Sequence, residues 1–184
     1  MPHVQAPLRE TPMNLRFHVD RRIVGEQRAW LEEARVTLEE DTHGVLRVFY
    51  DYDFDSTEPM VKLDGWQIVY ISRETPVVGY FDDLHKTTVL GECDWENRHV
   101  YLVQERLTSR ERFIHVVMHE LLHSVGVHHI KNSRAIMAPI AISQLPLHMT
   151  SEDLDAFCQT VGCSMNELRN ASVSPSGGFS QWVR

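Results

Sequence analysis

Cysteine is scarce in this chain, with three residues in 184. Three is an odd number and too few for the disulfide framework that staples small secreted domains. Cys158 and Cys163 are close enough in the chain to pair across a short loop, and two buried thiols explain them equally well. Cys93 is left over in either case and is expected to be structural. The fold must therefore rest on a hydrophobic core, for which the chain is long enough.

Basic residues and long apolar runs are also few. Lys and Arg number 18 against 26 Asp and Glu, and the formal net charge is −8. This balance argues against a phosphate-binding surface, so nucleic acid is not an expected partner. No apolar stretch approaches the length of a membrane span, and no membrane association is expected. Residues 1–7 lack the basic start and apolar run of a secretory signal, so we expect a cytoplasmic protein or one exported by another route.

Proline, serine and glycine mark the two ends of a single predicted domain. Residues 1–13 carry three prolines and are expected to form an extended lead-in. Residues 171–184 are rich in Ser and Gly and are expected to form a flexible tail. Between them, residues 14–170 contain no internal repeat and no linker long enough to divide two domains, so they are predicted to fold as one unit.

Hydrophobic periodicity predicts the elements of that domain. Strands are expected at residues 15–19, 45–50, 66–71, 87–90 and 99–103. Helices are expected at residues 26–40, after a cap at Ser109, and from Thr150 or Ser151 to about Thr160. The acidic segment 51–56 is interpreted as a solvated surface loop in preference to a calcium site.

The most informative segment is residues 119–129, which read His-Glu-Leu-Leu-His-Ser-Val-Gly-Val-His-His. His119 and His123 are four apart, so on a helix both imidazoles project from one face. Gly126 permits the backbone to leave the helix, because glycine readily takes a left-handed conformation. His129 can then return as a third ligand. Three protein ligands with one open coordination position are typical of a catalytic zinc site. The side chain of Glu120 can approach the open position without being a ligand.

A methionine-containing turn, Ala135-Ile136-Met137-Ala138-Pro139, follows this motif. Together the two segments resemble the metzincin clan of zinc metalloproteases, whose pattern is His-Glu-x-x-His-x-x-Gly-x-x-His followed by a Met-turn. The chain is most similar to a minimal matrixin-like catalytic domain. The resemblance implies an α+β fold of the zincin type, with a twisted five-stranded mixed sheet and an active-site helix. It also implies an upper subdomain over about residues 14–126 and a small lower one over about residues 127–170.

The resemblance further implies a zinc-dependent endopeptidase that hydrolyses peptide bonds with zinc-activated water. Glu120 would be the general base, and one catalytic Zn²⁺ would be held by His119, His123 and His129. Met137 would form an apolar floor under the three imidazoles. The partner would be a polypeptide bound in extended form along the edge strand, which chain position assigns to residues 87–91, and the protein would be a monomer. The residues expected to line the substrate pocket are His115, Val116, Pro139, Val89 and Leu90.

The chain departs from the large metzincin branches at several positions. Ile130 follows the third histidine, where those branches carry other residues, and no tyrosine stands two residues after Met137. Asp83, His85 and His99 match only part of the structural zinc set of matrixins, so a second metal is not expected. His128 could replace its neighbour as the third ligand, although the spacing favours the neighbour.

Two other functions remain open at this point. One is a zinc hydrolase that acts on a small amide or a narrow peptide set. The other is a binding or structural module that keeps the metal for stability without turnover. Glu120 argues against the second, because a purely structural metal site has no need of a carboxylate that is not a ligand.

Overall fold

The computed structural model describes residues 12–57, 63–139, 145–166 and 168. The described strands are β1 (Met13–Asp20), β2 (Leu46–Phe54), β3 (Trp66–Ile71), β4 (Gly91–Asp94) and β5 (His99–Val103). The α-helices are α1 (Gly25–Asp41), α2 (Pro76–His85), α3 (Arg110–Ser124) and α4 (Ser151–Val161), and a 3₁₀ turn covers Gln104–Arg106. The predicted tail, residues 1–11 of the predicted lead-in and residues 169 and 170 lie outside the described residues.

The five strands form one mixed sheet in the order β2-β1-β3-β5-β4. The first four pair in parallel, and β4 pairs antiparallel with β5, placing Gly91 opposite Leu102 and Asp94 opposite His99. The α+β class and the five-stranded mixed sheet are therefore confirmed. The core lies between this sheet and helices α1 and α3, where Trp30 meets Phe113 edge-to-face with ring centroids 5.8 Å apart.

The predicted position of the edge strand is wrong. Residues 87–90 are not a strand, and β4 begins at Gly91. The side chain of Asp82 accepts the N–H of Val89 at 2.8 Å, and Arg106 donates to the carbonyl oxygen of Val89 at 2.6 Å. These bonds engage the backbone of Val89 and hold it against α2, so pairing with β5 begins only at the carbonyl oxygen of Leu90, which accepts the N–H of Val103 at 3.0 Å.

Two further elements differ from the prediction. Helix α2 was not predicted, although Pro76 at its first turn is a recognised start signal and Val78 and Phe81 are buried at helical spacing. Strand β2 continues through Phe54, so most of the expected acidic loop is strand. Two acidic side chains of β2 pair with side chains of β1: Asp51 with Arg16 at 3.1 Å, and Asp53 with Nδ1 of His18 at 2.9 Å.

The helix caps agree with the sequence. The hydroxyl of Ser109 accepts the backbone N–H of Arg112, as expected for the cap of α3. Thr150 caps α4 in a reciprocal capping box with Asp153. Cys158 and Cys163 form a disulfide that joins the last turn of α4 to the residues after it, which decides between the two alternatives for this pair. Helices long and apolar enough to span a membrane are absent from the described part of the chain.

Candidate metal centre

Three imidazoles converge where α3 ends. His119 and His123 lie in the last two turns of the helix, and Gly126, with a φ of 95°, turns the backbone in the left-handed region that glycine tolerates. The chain then returns His129 to the same point. The Nε2 atom of His129 lies 3.1 Å from that of His119 and 3.1 Å from that of His123.

Backbone carbonyls fix the orientation of two of these rings. The Nδ1 atom of His119 lies 2.7 Å from the carbonyl oxygen of Ile136, and that of His123 lies 2.8 Å from the carbonyl oxygen of Val127. Because a carbonyl can only accept, each Nδ1 donates a proton and each Nε2 keeps its lone pair for a ligand. Such second contacts orient metal-binding histidines and set their tautomer.

The environment also keeps these rings unprotonated. Burial and the neighbouring His123 lower the pKa of His119 to about 3. Burial lowers the pKa of His123 to about 4 and moves that of His129 in the same direction. Two nitrogens bound tetrahedrally to one zinc ion are about 3.3 Å apart, which the observed spacing matches closely. The three neutral nitrogen donors therefore fit zinc.

Among the described residues, these three histidines form the one set of three or more potential metal ligands that lie close enough together to bind a single ion. His128 is exposed and lies outside the group, so His129 occupies the third position. The partial zinc set noted in the sequence is not assembled: His85 pairs with Glu92 at 3.1 Å, and Nδ1 of His99 lies 2.9 Å from the hydroxyl of Tyr101.

Glu120 lies between α3 and the edge strand. Its side chain is buried, and burial together with the nearby carboxylate of Glu92 raises its pKa well above the usual range for glutamate. Gly91 makes this packing possible, because a Cβ atom there would lie 3.0 Å from Oε1 of Glu120 and 2.8 Å from Cγ1 of Val116. Gly91 was predicted only as the end of the edge strand at residues 87–91; an isolated glycine in a strand is the available signal for this close approach.

Asp153 is a second site residue that was not among the predicted ones. Its fully buried carboxylate accepts the backbone N–H groups of Ile136 and Met137, each at 2.9 Å. The side chain of Met137 is fully buried, and its carbonyl oxygen accepts the N–H of Ile130 at 3.0 Å. The available signal was the threonine three residues before this aspartate, which marks a capping box, although the pattern does not reveal the contact with the Met-turn.

The five predicted pocket residues occupy different environments. Val116 and Val89 are buried and Leu90 is half-buried, with Val116 facing Gly91 of the edge strand. His115 is buried, and its Nδ1 lies 3.0 Å from the carbonyl oxygen of Pro146, while Pro139 is exposed. The structure therefore shows a packed and hydrogen-bonded His115. The role of these residues in substrate selection remains a prediction.

Comparison with known proteins supports the same class of site. A search of curated proteins found no match. Among solved structures, archaemetzincin from Methanopyrus kandleri superimposes with a TM-score of 0.53 at 13% identity, covering 84% of this chain and 98% of that one. At this identity the likeness shows a shared fold. The family model for matrixin matches residues 26–160, which is most of the chain and includes the three histidines and the Met-turn. The chain therefore belongs to the matrixin family and is a metzincin-type zinc metalloprotease domain.

Proposed function

We propose that this domain is an endopeptidase that binds one zinc ion through His119, His123 and His129 and uses Glu120 as general base. The observation that carries the proposal is the convergence of three Nε2 atoms, whose rings are held unprotonated, at the end of the helix that carries the buried Glu120. Zinc, when bound, supplies an electrophile that acidifies water and stabilises the charge that develops on a carbonyl oxygen.

Glu120 is suited to moving a proton during this reaction. Its burial against α3 and the edge strand favours the protonated form, so its carboxylate is a stronger base than one in water. It would accept a proton from the attacking water and transfer it to the nitrogen of the leaving amine. Because Gly91 has no Cβ atom, the edge strand can lie close to the carboxylate of Glu120. This close packing limits the access of solvent to the carboxylate from the side of the edge strand.

The edge strand indicates how an extended substrate would bind. β4 is the last strand of the described sheet and pairs with β5 on one side only. Its free edge can bind a peptide by backbone hydrogen bonds. These bonds require an extended peptide backbone and depend little on the identity of the peptide side chains. This mode favours polypeptide substrates over small amides. We expect the domain to act as a monomer.

Mass-spectrometric mapping of cuts in a library of denatured-protein peptides tests the proposal. Zinc-loaded wild type should produce cuts that Glu120→Ala does not. Glu111→Ala is a matched control, because Glu111 is exposed in the first turn of the same helix. An absence of cuts by zinc-loaded wild type would contradict the endopeptidase assignment. It would support a narrow amide hydrolase or a metal-stabilised binding module.

A further inference from the structure

We propose that Glu92 and His85 form a subsite on the edge strand that selects substrates carrying a cationic group beside the scissile bond. This inference rests on the proposed peptidase function and extends it to substrate specificity. The two residues stand outside the metal-binding motif. Their side chains are partly exposed, at 24% for Glu92 and 41% for His85, with Oε2 and Nε2 3.1 Å apart.

The position of the pair follows from the alternation of side chains along β4. A Cβ atom at Gly91 would point toward α3, 3.0 Å from Oε1 of Glu120, so the next residue, Glu92, points to the opposite face of the sheet. On that face the ring of Phe81 of α2 lies 5.5 Å from the ring of Tyr101, the residue of β5 opposite Glu92, and the last residue of α2 is His85. Glu92 therefore lies one residue from the contact with the general base, on the strand that an extended substrate would join.

A peptide added to the free edge of β4 would place alternate side chains on the face of Glu92. Directly opposed residues of antiparallel strands have Cβ atoms about 5 Å apart, so a lysine or arginine at the paired position reaches a glutamate easily. A free α-amino group at the end of a short peptide would supply the same charge. Both sources present an ammonium or guanidinium group to one carboxylate.

The electrostatic surroundings of Glu92 favour such a cation. Burial raises the pKa of Glu92, with Asp94 acting in the same direction and His85 in the opposite one. A substrate cation would offset the cost of burying this carboxylate, and an anionic side chain would add to it.

Matched peptides test this subsite directly. N-acetylated peptides that carry Lys, norleucine or Glu at one position at a time would be compared for kcat/KM with zinc-loaded wild type, Glu92→Gln and Glu92→Lys. Glu96→Gln is the control, because Glu96 is exposed in the turn after β4. Wild type should prefer Lys over norleucine at one position by about fivefold at low salt. Glu92→Gln should abolish this preference, Glu92→Lys should turn it toward Glu, and the control should keep it.

A second peptide set with free N-termini identifies the source of the charge. Preference for Lys in the acetylated set assigns the subsite to side chains. Preference that appears only with a free N-terminus assigns it to the α-amino group. Both results support the proposal when they depend on Glu92. Equal kcat/KM values for Lys and norleucine at every position, together with no gain from a free N-terminus, would overturn it.

A binding measurement separates this inference from the proposed function. Fluorescence anisotropy with the zinc-loaded Glu120→Gln protein would report the affinity for the same labelled peptides without turnover. Tighter binding of the cationic peptide, lost when Glu92→Gln is added, supports the subsite even if wild type cleaves nothing. Equal affinities, or binding of neither peptide, would contradict the subsite even if wild type cleaves peptides well.

Discussion

The carboxylate of Asp153 accepts the backbone N–H of Met137 at 2.9 Å and thereby ties the Met-turn to the first turn of α4. The same carboxylate accepts a hydrogen bond from the N–H of Ile136. The carbonyl oxygen of Ile136 in turn accepts a hydrogen bond from Nδ1–H of His119. A continuous path of hydrogen bonds thus runs from α4 through the Met-turn to a zinc-facing imidazole. The helix cap and the orientation of the metal ligand depend on one buried side chain.

Replacing Asp153 with Asn should weaken both the fold and the metal centre. An amide keeps the shape of the carboxylate but offers one acceptor where two oxygens now accept hydrogen bonds. We expect a loss of about 1–3 kcal/mol in the free energy of unfolding and a loss of about 10- to 100-fold in zinc affinity. Chemical denaturation and competition with a zinc chelator measure the two effects.

Asp155→Asn is the matched control for this change, because Asp155 is exposed on the same helix. It should leave both quantities close to those of wild type. Unchanged zinc affinity in Asp153→Asn would contradict the hydrogen-bonded path, even if the variant were less stable.

The metal-free protein should lose stability as the pH falls below about 6.5, the ordinary pKa of histidine. His119 and His123, with pKa values of about 3 and about 4, stay neutral in the folded state while the unfolded chain takes up protons. Since stability rises with pH wherever the unfolded state binds more protons, it is lost as the pH falls toward those values. Glu120 acts in the opposite sense, because its pKa is raised in the folded state.

Denaturant titrations of the metal-free chain between pH 4 and pH 8 measure this balance. Five imidazoles with lowered pKa values (His99, His115, His119, His123 and His129) oppose two carboxyl groups with raised pKa values (Glu92 and Glu120), so the loss of stability on the acid side should dominate below pH 6.5. Glu120 acts against this trend and lowers the stability as the pH rises above the ordinary pKa of glutamate, about 4.3, toward its raised folded-state pKa. Glu120→Gln should steepen the loss of stability on the acid side and remove this opposing contribution. A free energy of unfolding that increases on acidification would contradict the account.

Gly91→Ala should impair the active site through packing. The added methyl group would meet Cγ1 of Val116 at 2.8 Å and Oε1 of Glu120 at 3.0 Å, so the strand, the helix or the carboxylate must move. We expect a loss of about 1–3 kcal/mol in the free energy of unfolding, the typical cost of overpacking, with a lower kcat. Thermal denaturation and peptide cleavage assays measure these changes.

Gly79→Ala provides the contrast. A Cβ atom at Gly79 meets no other atom within 4 Å, and the residue lies inside α2. Alanine there should stabilise the helix by about 0.5–1 kcal/mol and leave cleavage unchanged. Equal effects of the two substitutions on activity would show that the close approach of Gly91 to Glu120 has no functional importance.

The disulfide between Cys158 and Cys163 should contribute modestly to stability. It closes a loop with a sequence separation of 5, and so short a loop restrains the unfolded chain by about 2 kcal/mol. Replacing both cysteines with serine should lower the free energy of unfolding by about that amount under non-reducing conditions. Treatment of wild type with a reductant should have a similar effect and should leave the double variant unchanged. A reductant that destabilises the double variant equally would contradict the assignment.

The active-site helix and its ligands could be predicted because their spacing is local. His119, Glu120 and His123 lie on one helix, and Gly126 indicates the turn that brings His129 close to the other two histidines. The caps of α3 and α4 were equally accessible, since a cap depends on three or four consecutive residues.

The errors arose where distant residues decide the structure. Residues 87–90 have a strand-like pattern, but Asp82 and Arg106 bind the backbone of Val89, and the edge strand starts at Gly91. The contact of Asp153 with the Met-turn joins residues 16 and 17 positions apart. No periodicity in the sequence encodes such a contact. The position of Gly91 against Glu120 likewise appears only after the sheet and α3 are packed together.

The measurement that tests the central claim most directly is the comparison of wild type with Glu120→Ala for zinc content and peptide cleavage in the same samples. We expect one zinc ion per chain in both proteins, because Glu120 is not a ligand, and a loss of about 100-fold or more in kcat/KM in the variant. Retained cleavage by Glu120→Ala, or loss of its zinc, would contradict the assignment of Glu120 as the general base beside a three-histidine zinc site.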